Sequence, residues 1–360
     1  MPMHKEKGIL KTIADTLNPY RWIMEARNRA FDSGRLRSQP FDTPIICIGN
    51  ITVGGTGKTP HTEYLIRLLK EHWKVAVLSR GYGRKTRGYI KADEYTTMPM
   101  IGDEPFQIKE KFPDITVAVC EKRVTGATNL LAGDDAPSVI LLDDAYQHRH
   151  IKAGLYILLV DFNRPVWSDC TLPFGRLRES DSGTRRADVV IVTKCPPHIT
   201  KEQMELCRKN LKTKEGVPVF FSKVEYGNIY PLFATAQPVA TDIQAGDNVL
   251  LLAGIANPAP LKKEIEKRGA KVTLMQYADH HNFSNSDIDA IAAAYNKLSG
   301  KKMILTTEKD ATRLRRTAGI SQEIKENIYA IPIEVKIIDN KENEFNQKIL
   351  DYVTENSRNS

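Results

Sequence analysis

What this chain lacks narrows its class first. Nowhere in its 360 residues is there an apolar run near the roughly 18 to 20 residues that cross a bilayer. Met1 to Ala14 holds no uninterrupted apolar core of the kind a secretory signal needs, so a cytoplasmic protein is expected. The five cysteines (Cys47, Cys120, Cys170, Cys195 and Cys207) are scattered and form no CxxC pair. That argues against a metal cluster or a disulfide framework and fits a reducing compartment. Cys47 and Cys120 lie in apolar runs and read as small buried side chains. There is no low-complexity tract and no evident internal repeat.

What is present is globular in composition, with 41% hydrophobic and 27% charged residues. The length predicts two domains, or one large domain with additions. A formal charge of +8 favours anionic ligands or an acidic membrane surface. The basic residues are dispersed and no nucleic-acid module is visible, so nucleic acid is not an expected partner.

The most informative stretch is Pro44-Ile45-Ile46-Cys47-Ile48-Gly49-Asn50-Ile51-Thr52-Val53-Gly54-Gly55-Thr56-Gly57-Lys58-Thr59. A β-branched strand stops at Gly49, a glycine loop follows, and Lys58-Thr59 opens a helix through Tyr64, Leu65, Leu68 and Leu69. This is the phosphate-binding P-loop order. Glycines let backbone N–H groups approach phosphate oxygens, and the helix N-terminus favours negative charge. Lys58 would reach the β- and γ-phosphates, and the Thr59 hydroxyl would ligate magnesium. Thr52 stands where the usual pattern has its first glycine.

Other motifs fall at the ends of expected strands, where ligands gather in open parallel sheets. Strand Lys74 to Ser79 runs into the basic, glycine-broken loop Arg80 to Arg87. Gly102-Asp103-Glu104-Pro105 opens a helix, and its acids suit N-terminal capping, magnesium or a hydroxyl equally well. Strand Ser138 to Leu142 ends in Asp143-Asp144, the Walker B arrangement for holding the magnesium shell. Ala145-Tyr146-Gln147-His148-Arg149 follows at once. The long segment Trp167 to Arg186 carries arginines suited to phosphate. In Asp279-His280-His281, adjacent residues of a strand would face opposite ways, so one ion rarely uses both histidines.

The expected fold is α/β: a P-loop domain with a doubly wound, mostly parallel sheet, plus a smaller C-terminal α/β domain. The expected divisions are a basic amphipathic helical segment at 1–38, the P-loop domain at 39–225 and a strand-rich connector at 226–247. A smaller domain at 248–340 and a terminal helix at 341–360 follow. Segment 1–38 suits either an anionic membrane surface or an ordinary helix docked on the next domain.

Together these motifs resemble the tetraacyldisaccharide 4′-kinases, the lipid A 4′-kinases of Gram-negative bacteria. The matching pieces are GNITVGGTGKTP (49–60), SRGYG (79–83), GDEP (102–105), LLDDAYQHR (141–149) and LPFGRLRE (172–179), then AGIANP (253–258), DHHNF (279–283) and TTEKDATRL (306–314). The resemblance implies phosphorylation of the 4′-hydroxyl of an acylated glucosamine disaccharide 1-phosphate, with ATP and Mg2+, at the cytoplasmic face of the inner membrane. It assigns the ATP phosphates to Thr52, Val53, Gly54, Gly55, Thr56, Gly57, Lys58 and Thr59. Arg123, Gln147 and Arg178 would contact the nucleotide or the transferring phosphate. Asp103, paired with His280, would activate the sugar hydroxyl, and that pair would join the two domains. Thr59, Glu104, Asp143 and Asp144 would surround magnesium, and Tyr82 would face the sugar.

The chain departs from the family in two places. Its N-terminal segment is less hydrophobic, which predicts peripheral attachment without a span, and Ala145-Tyr146 stands where glycine and phenylalanine are common. A monomer is the expected state. The competing readings are a P-loop kinase for another anionic sugar or small molecule, and a partitioning-type switch ATPase. Against the latter, Val53 occupies the position where such ATPases place a lysine.

Overall fold

The computed structural model of the chain describes residues 17–234 and 242–357. The first part of the basic segment, 1–16, lies outside the described residues, as do 235–241 of the expected connector. The described chain divides into two units, residues 1–224 with 335–360, and residues 225–334.

The first unit opens with helix α1 (Pro19–Asp32), started by Asn18 as N-cap and Pro19 in the first turn. Strand β1 (Ile45–Gly49) is buried throughout and delivers the chain to helix α2 (Lys58–Leu69). Strands β2 (Val75–Ser79) and β3 (Ile90–Lys91), helices α3 (Met98–Ile101) and α4 (Asp103–Lys111), and strand β4 (Thr116–Val119) follow. After helix α5 (Arg123–Leu131) come β5 (Val139–Asp143), β6 (Leu155–Asp161) and β7 (Val189–Thr193), then α6 (Lys201–Asn210) and β8 (Val219–Tyr226).

In the second unit β9 (Tyr230–Pro231), β10 (Asn248–Ala253), α7 (Ala259–Lys267), β11 (Lys271–Gln276) and α8 (Asn285–Asn296) come first. They lead into β12 (Lys302–Thr307), α9 (Glu308–Leu314), α10 (Gln322–Asn327) and β13 (Ile328–Ile331). Strand β14 (Ile333–Ile337) and helix α11 (Glu342–Ser357) then return the chain to the first unit. Phe345, Ile349 and Val353 of α11 are buried in that unit's core with Ile48 and Ile157. The terminal helix is therefore part of the first unit's packing, and the described part of the expected connector belongs to the second unit.

Among the described residues the larger sheet runs β14-β8-β7-β6-β1-β5-β2-β4-β3. Strands from β8 to β4 pair in parallel and β3 runs against β4. The uniform burial of β1, β2, β5 and β7 explains why these read as continuous apolar runs without alternation. Register pairs Ile48 with Asp143, so that acid sits beside the end of β1. The smaller sheet has the order β11-β10-β12-β13-β9, parallel except for β9. No helix among the described residues is long and apolar enough to cross a membrane.

Candidate active site

The glycine loop is held from three sides. Its first half is joined by a single antiparallel bridge to the long segment 167–186. Thr52 bridges Leu177, the Val53 N–H donates to the Arg176 carbonyl (2.8 Å), and the Arg178 N–H donates to the Ile51 carbonyl (2.8 Å). Inside the loop, the Asn50 amide donates to the Thr56 hydroxyl (2.8 Å), and both residues are fully buried. At the crest, the Gly55 carbonyl accepts from Lys194 and, at 3.4 Å, from Arg164. Asp161, buried at the tip of β6, anchors both cations at 3.0 Å. The Thr193 hydroxyl donates to the Thr56 carbonyl (2.8 Å).

Gly57, at φ +90°, turns the chain into α2. Lys58 and Thr59 occupy the first turn of that helix, where N–H groups lack intrahelical partners. His61, one turn further on, has one ring nitrogen 2.7 Å from the Gly57 carbonyl and the other 3.0 Å from the Ser222 hydroxyl. Burial pushes its pKa down to about 4, so it stays neutral and donates to that carbonyl.

Across the loop lies the tip of β5. Asp143 is buried and accepts from the Thr62 hydroxyl (3.2 Å). Burial first, then the negative charges of Glu104 and Asp144, push its pKa up to about 7. Asp144, at φ +48°, points elsewhere. Its carboxylate lies 3.5 Å from Lys58 Nζ and accepts from Arg178 Nη1 at 3.0 and 3.2 Å. Burial raises the Asp144 pKa, but Lys58 and Arg178 outweigh it and hold the carboxyl below its usual range. The Gln147 amide donates to the Asn50 carbonyl (2.7 Å) and to Glu179 (2.9 Å), and its carbonyl lies 3.4 Å from Arg178. Buried Glu179 is gripped by Arg186 through two contacts of 2.7 and 2.8 Å.

Asp103 and Glu104 form the first turn of α4. Gly102 ahead of them packs its Cα against the backbone of Gly81 and Tyr82. The SRGYG and GDEP motifs are thus joined backbone to backbone, with the Tyr82 side chain exposed beside them. Arg123 is buried at the start of α5, its guanidinium donating to the Cys120 carbonyl (2.9 Å). Burial pushes its pKa down to about 10, which leaves it cationic. His148 accepts from the Arg123 N–H (3.3 Å) and caps that helix.

Among the described residues, no three His, Cys, Asp or Glu side chains converge as a metal cluster. Magnesium does not need one. It binds through one or two carboxylates together with phosphate oxygens and water. Asp143 fits that role, because neighbouring carboxylates and burial leave its ionised form short of positive charge.

In the second unit the two adjacent histidines part company. His281 stacks on Tyr277 (4.8 Å between ring centres) and contacts Asp287 (3.0 Å), which fixes it structurally. His280, at φ +62°, is exposed and has Lys309 at Nε2 (3.1 Å) and Arg313 at Nδ1 (3.0 Å).

Asp161, Arg164, Lys194 and Glu179 are residues that sequence reasoning did not single out as functional. The first three end or follow ordinary-looking strands. Arg164 and Lys194 share a backbone carbonyl as partner and Asp161 holds both, a convergence that leaves no mark in the sequence.

A glycine loop between a buried strand and a Lys-Thr helix, with acids on the tip of the next strand, defines a P-loop nucleotide-binding protein. The profile described as tetraacyldisaccharide-1-P 4′-kinase matches residues 16–354. The chain belongs to that family. It is 47% identical to a tetraacyldisaccharide 4′-kinase of Bacteroides thetaiotaomicron, covering 96% of this chain and 94% of the relative. A Flavobacterium johnsoniae protein of the same description is 43% identical, covering 94% and 95%. A crystal structure of LpxK from Aquifex aeolicus in complex with ATP superposes with a TM-score of 0.71. That match is 28% identical and covers 96% of this chain and 99% of the other.

Proposed function

We propose that this chain transfers the γ-phosphate of ATP to the 4′-hydroxyl of a tetraacylated glucosamine disaccharide 1-phosphate. Family membership makes it an ATP-dependent kinase of lipid A biosynthesis. The observation that supports the site assignment is the Lys58–Asp144–Arg178 cluster, with Asp143 beside it on the β5 tip.

In this reading Thr52 to Thr59 take the phosphates, with Lys58 on the β- and γ-groups. Arg123, Gln147 and Arg178 serve the nucleotide or the transferring group. Thr59, Asp143, Asp144 and Glu104 are the residues that would hold Mg2+, which would neutralise charge on the phosphates when bound. Asp103, assisted by His280, accepts the proton from the sugar hydroxyl as its oxygen attacks the γ-phosphorus. The bond from that phosphorus to the ADP oxygen breaks, and ADP leaves. Most of the acceleration comes from positioning and charge stabilisation, with the base contributing less.

The same reading places the chain peripherally on the cytoplasmic face of the inner membrane. Helix α1 is tied to the rest of the first unit along one side. Tyr20 donates to the Arg178 carbonyl (2.8 Å), Asn28 to Glu179 (2.9 Å), and Arg149 to Asp32 (2.6 Å). Leu17, Trp22 and Ile23 stay more than half exposed, and so does Phe174 in the segment that Asn18 contacts. Apolar side chains beside basic residues suit the interfacial zone of an anionic bilayer.

The test is transfer of labelled γ-phosphate from ATP to the disaccharide 1-phosphate in detergent micelles. Transfer above a Lys58→Ala control is expected. Equal label in both would overturn the assignment.

A further inference from the structure

Three motifs of the second unit, AGIANP, DHHNF and TTEKDATRL, meet around one imidazole. Helix α9 is capped by Thr307, whose hydroxyl accepts from the Asp310 N–H (3.1 Å) and donates to the Asp310 carboxylate (2.8 Å). That carboxylate is fully buried and also takes the Gly254 N–H (2.9 Å). Arg313, one turn along and nearly as buried, lies against it at 3.4 Å. The far side of the same guanidinium reaches His280 Nδ1 at 3.0 Å. Lys309, on the same helix, bridges Asp279 (2.8 Å) and His280 Nε2 (3.1 Å).

Arginine and lysine only donate, and a neutral imidazole has a single lone pair in its ring plane. The two contacts therefore compete for one acceptor. Only the ring nitrogen without a proton can accept, so one of the two cations faces an N–H. Which contact wins follows from what each cation would lose by moving. Withdrawing Arg313 would disturb a buried charge pair, which is costly. Lys309 is a quarter exposed, keeps Asp279 as a partner and can rotate toward water.

We propose that Arg313 and Lys309 are positioning residues for His280. Arg313, braced by Asp310, donates to Nδ1 and fixes the neutral tautomer that carries its proton on Nε2, while Lys309 is the contact that yields. His280 then acts as an oriented N–H donor toward a carboxylate or phosphate oxygen, and the proton of the sugar hydroxyl goes to a carboxylate. This rests on the assignment of His280 to the reaction, and the experiment separates the two.

The full chain, labelled with 15N at histidine, is examined by two-bond 1H–15N correlation at neutral pH. His281 and the other histidines are assigned by single substitution. Expected for His280 is an unprotonated Nδ1 and a protonated Nε2, in wild type and in Lys309→Met. A proton on Nδ1, an averaged mixture of tautomers or a doubly protonated ring would overturn the proposal. In Arg313→Gln the signals should average between tautomers, and kcat should fall about tenfold with KM for ATP within twofold, Arg313→Lys recovering part of the loss. If Arg313→Gln does not fold, the wild-type and Lys309→Met spectra still decide. His280→Gln tests the underlying assignment separately. Turnover within a few-fold of wild type would remove His280 from the reaction while leaving the measured tautomer intact.

Discussion

The junction between Gly102 and the Gly81-Tyr82 backbone allows a sharp perturbation, Gly102→Ala. Gly102 sits at φ +90° and ψ 164°, a region that essentially only glycine occupies. An added Cβ would lie 2.6 Å from the Tyr82 carbonyl oxygen and 3.2 Å from the Gly81 carbonyl carbon. Neither is a flexible side-chain tip, so the backbone itself must shift. The conformation alone costs about 1–3 kcal/mol, and relieving the contact adds to it. Roughly 3 kcal/mol of destabilisation corresponds to a Tm lower by roughly 6–12 °C for a unit of this size. The alternative to unfolding is that α4 slides, carrying Asp103 and Glu104 with it. A misplacement of about 1 Å can cost about 100-fold in turnover. Differential scanning fluorimetry and γ-phosphate transfer, run on Gly102→Ala and on Gly133→Ala, read both effects. Gly133 has open space around its Cα, so its substitution should leave both readings near wild type. A Gly102→Ala protein with Tm within 2 °C and turnover within about twofold of wild type would refute the reasoning.

Asp143→Asn should abolish transfer yet stabilise the nucleotide-free protein at alkaline pH. The folded pKa of Asp143 is raised, so its contribution is fully present below the unfolded value of 3.8 and is lost as pH rises toward about 7. The Tm difference between variant and wild type should therefore grow from pH 4 to pH 8, and a constant difference would contradict the raised pKa. Asp161→Asn removes the anchor of Lys194 and Arg164 on the Gly55 carbonyl. Losing charge-assisted contacts of about 1.5–3 kcal/mol, part of which reaches the loop, should raise KM for ATP about tenfold, and an unchanged KM would reduce the triad to packing. Trp22→Ser combined with Ile23→Ser should cut sedimentation with anionic vesicles at least about tenfold, given about 1.5–3 kcal/mol per large apolar side chain buried. Undiminished sedimentation would place membrane contact elsewhere.

The fold was legible because the parallel strands are buried on both faces and so appear as continuous apolar runs, each ending in punctuation. The loop 49–59 and the Asp143-Asp144 tip were legible because several chemically committed residues sit within a few positions. Other features depend on contacts distant in sequence. Glu179 and Arg186 look like two charges in a polar loop until folding buries them together. The pairing of Leu177 with Thr52 spans more than a hundred residues and involves backbone groups that every residue carries. The return of 335–357 to the first unit depends on Phe345, Ile349 and Val353, a stripe ordinary in any terminal helix.

Asp143 and Asp144 show how neighbours in sequence acquire different chemistry. Asp143 ends the strand with its side chain among buried residues, where Thr62 is the hydrogen-bond donor and Glu104 a source of repulsion. One residue later the left-handed backbone of Asp144 swings its carboxylate toward Lys58 and Arg178. The first acid is short of positive charge, and the second already has two cations. A triphosphate would satisfy both conditions at once. Its oxygens would compete with Asp144 for Lys58 and Arg178, and a divalent cation that it brought would offset the charge on Asp143. On the proposed assignment, nucleotide binding at this strand tip would be an exchange of ionic partners, selective because it needs an anion and a cation together. Inorganic anions alone answer only half of that demand.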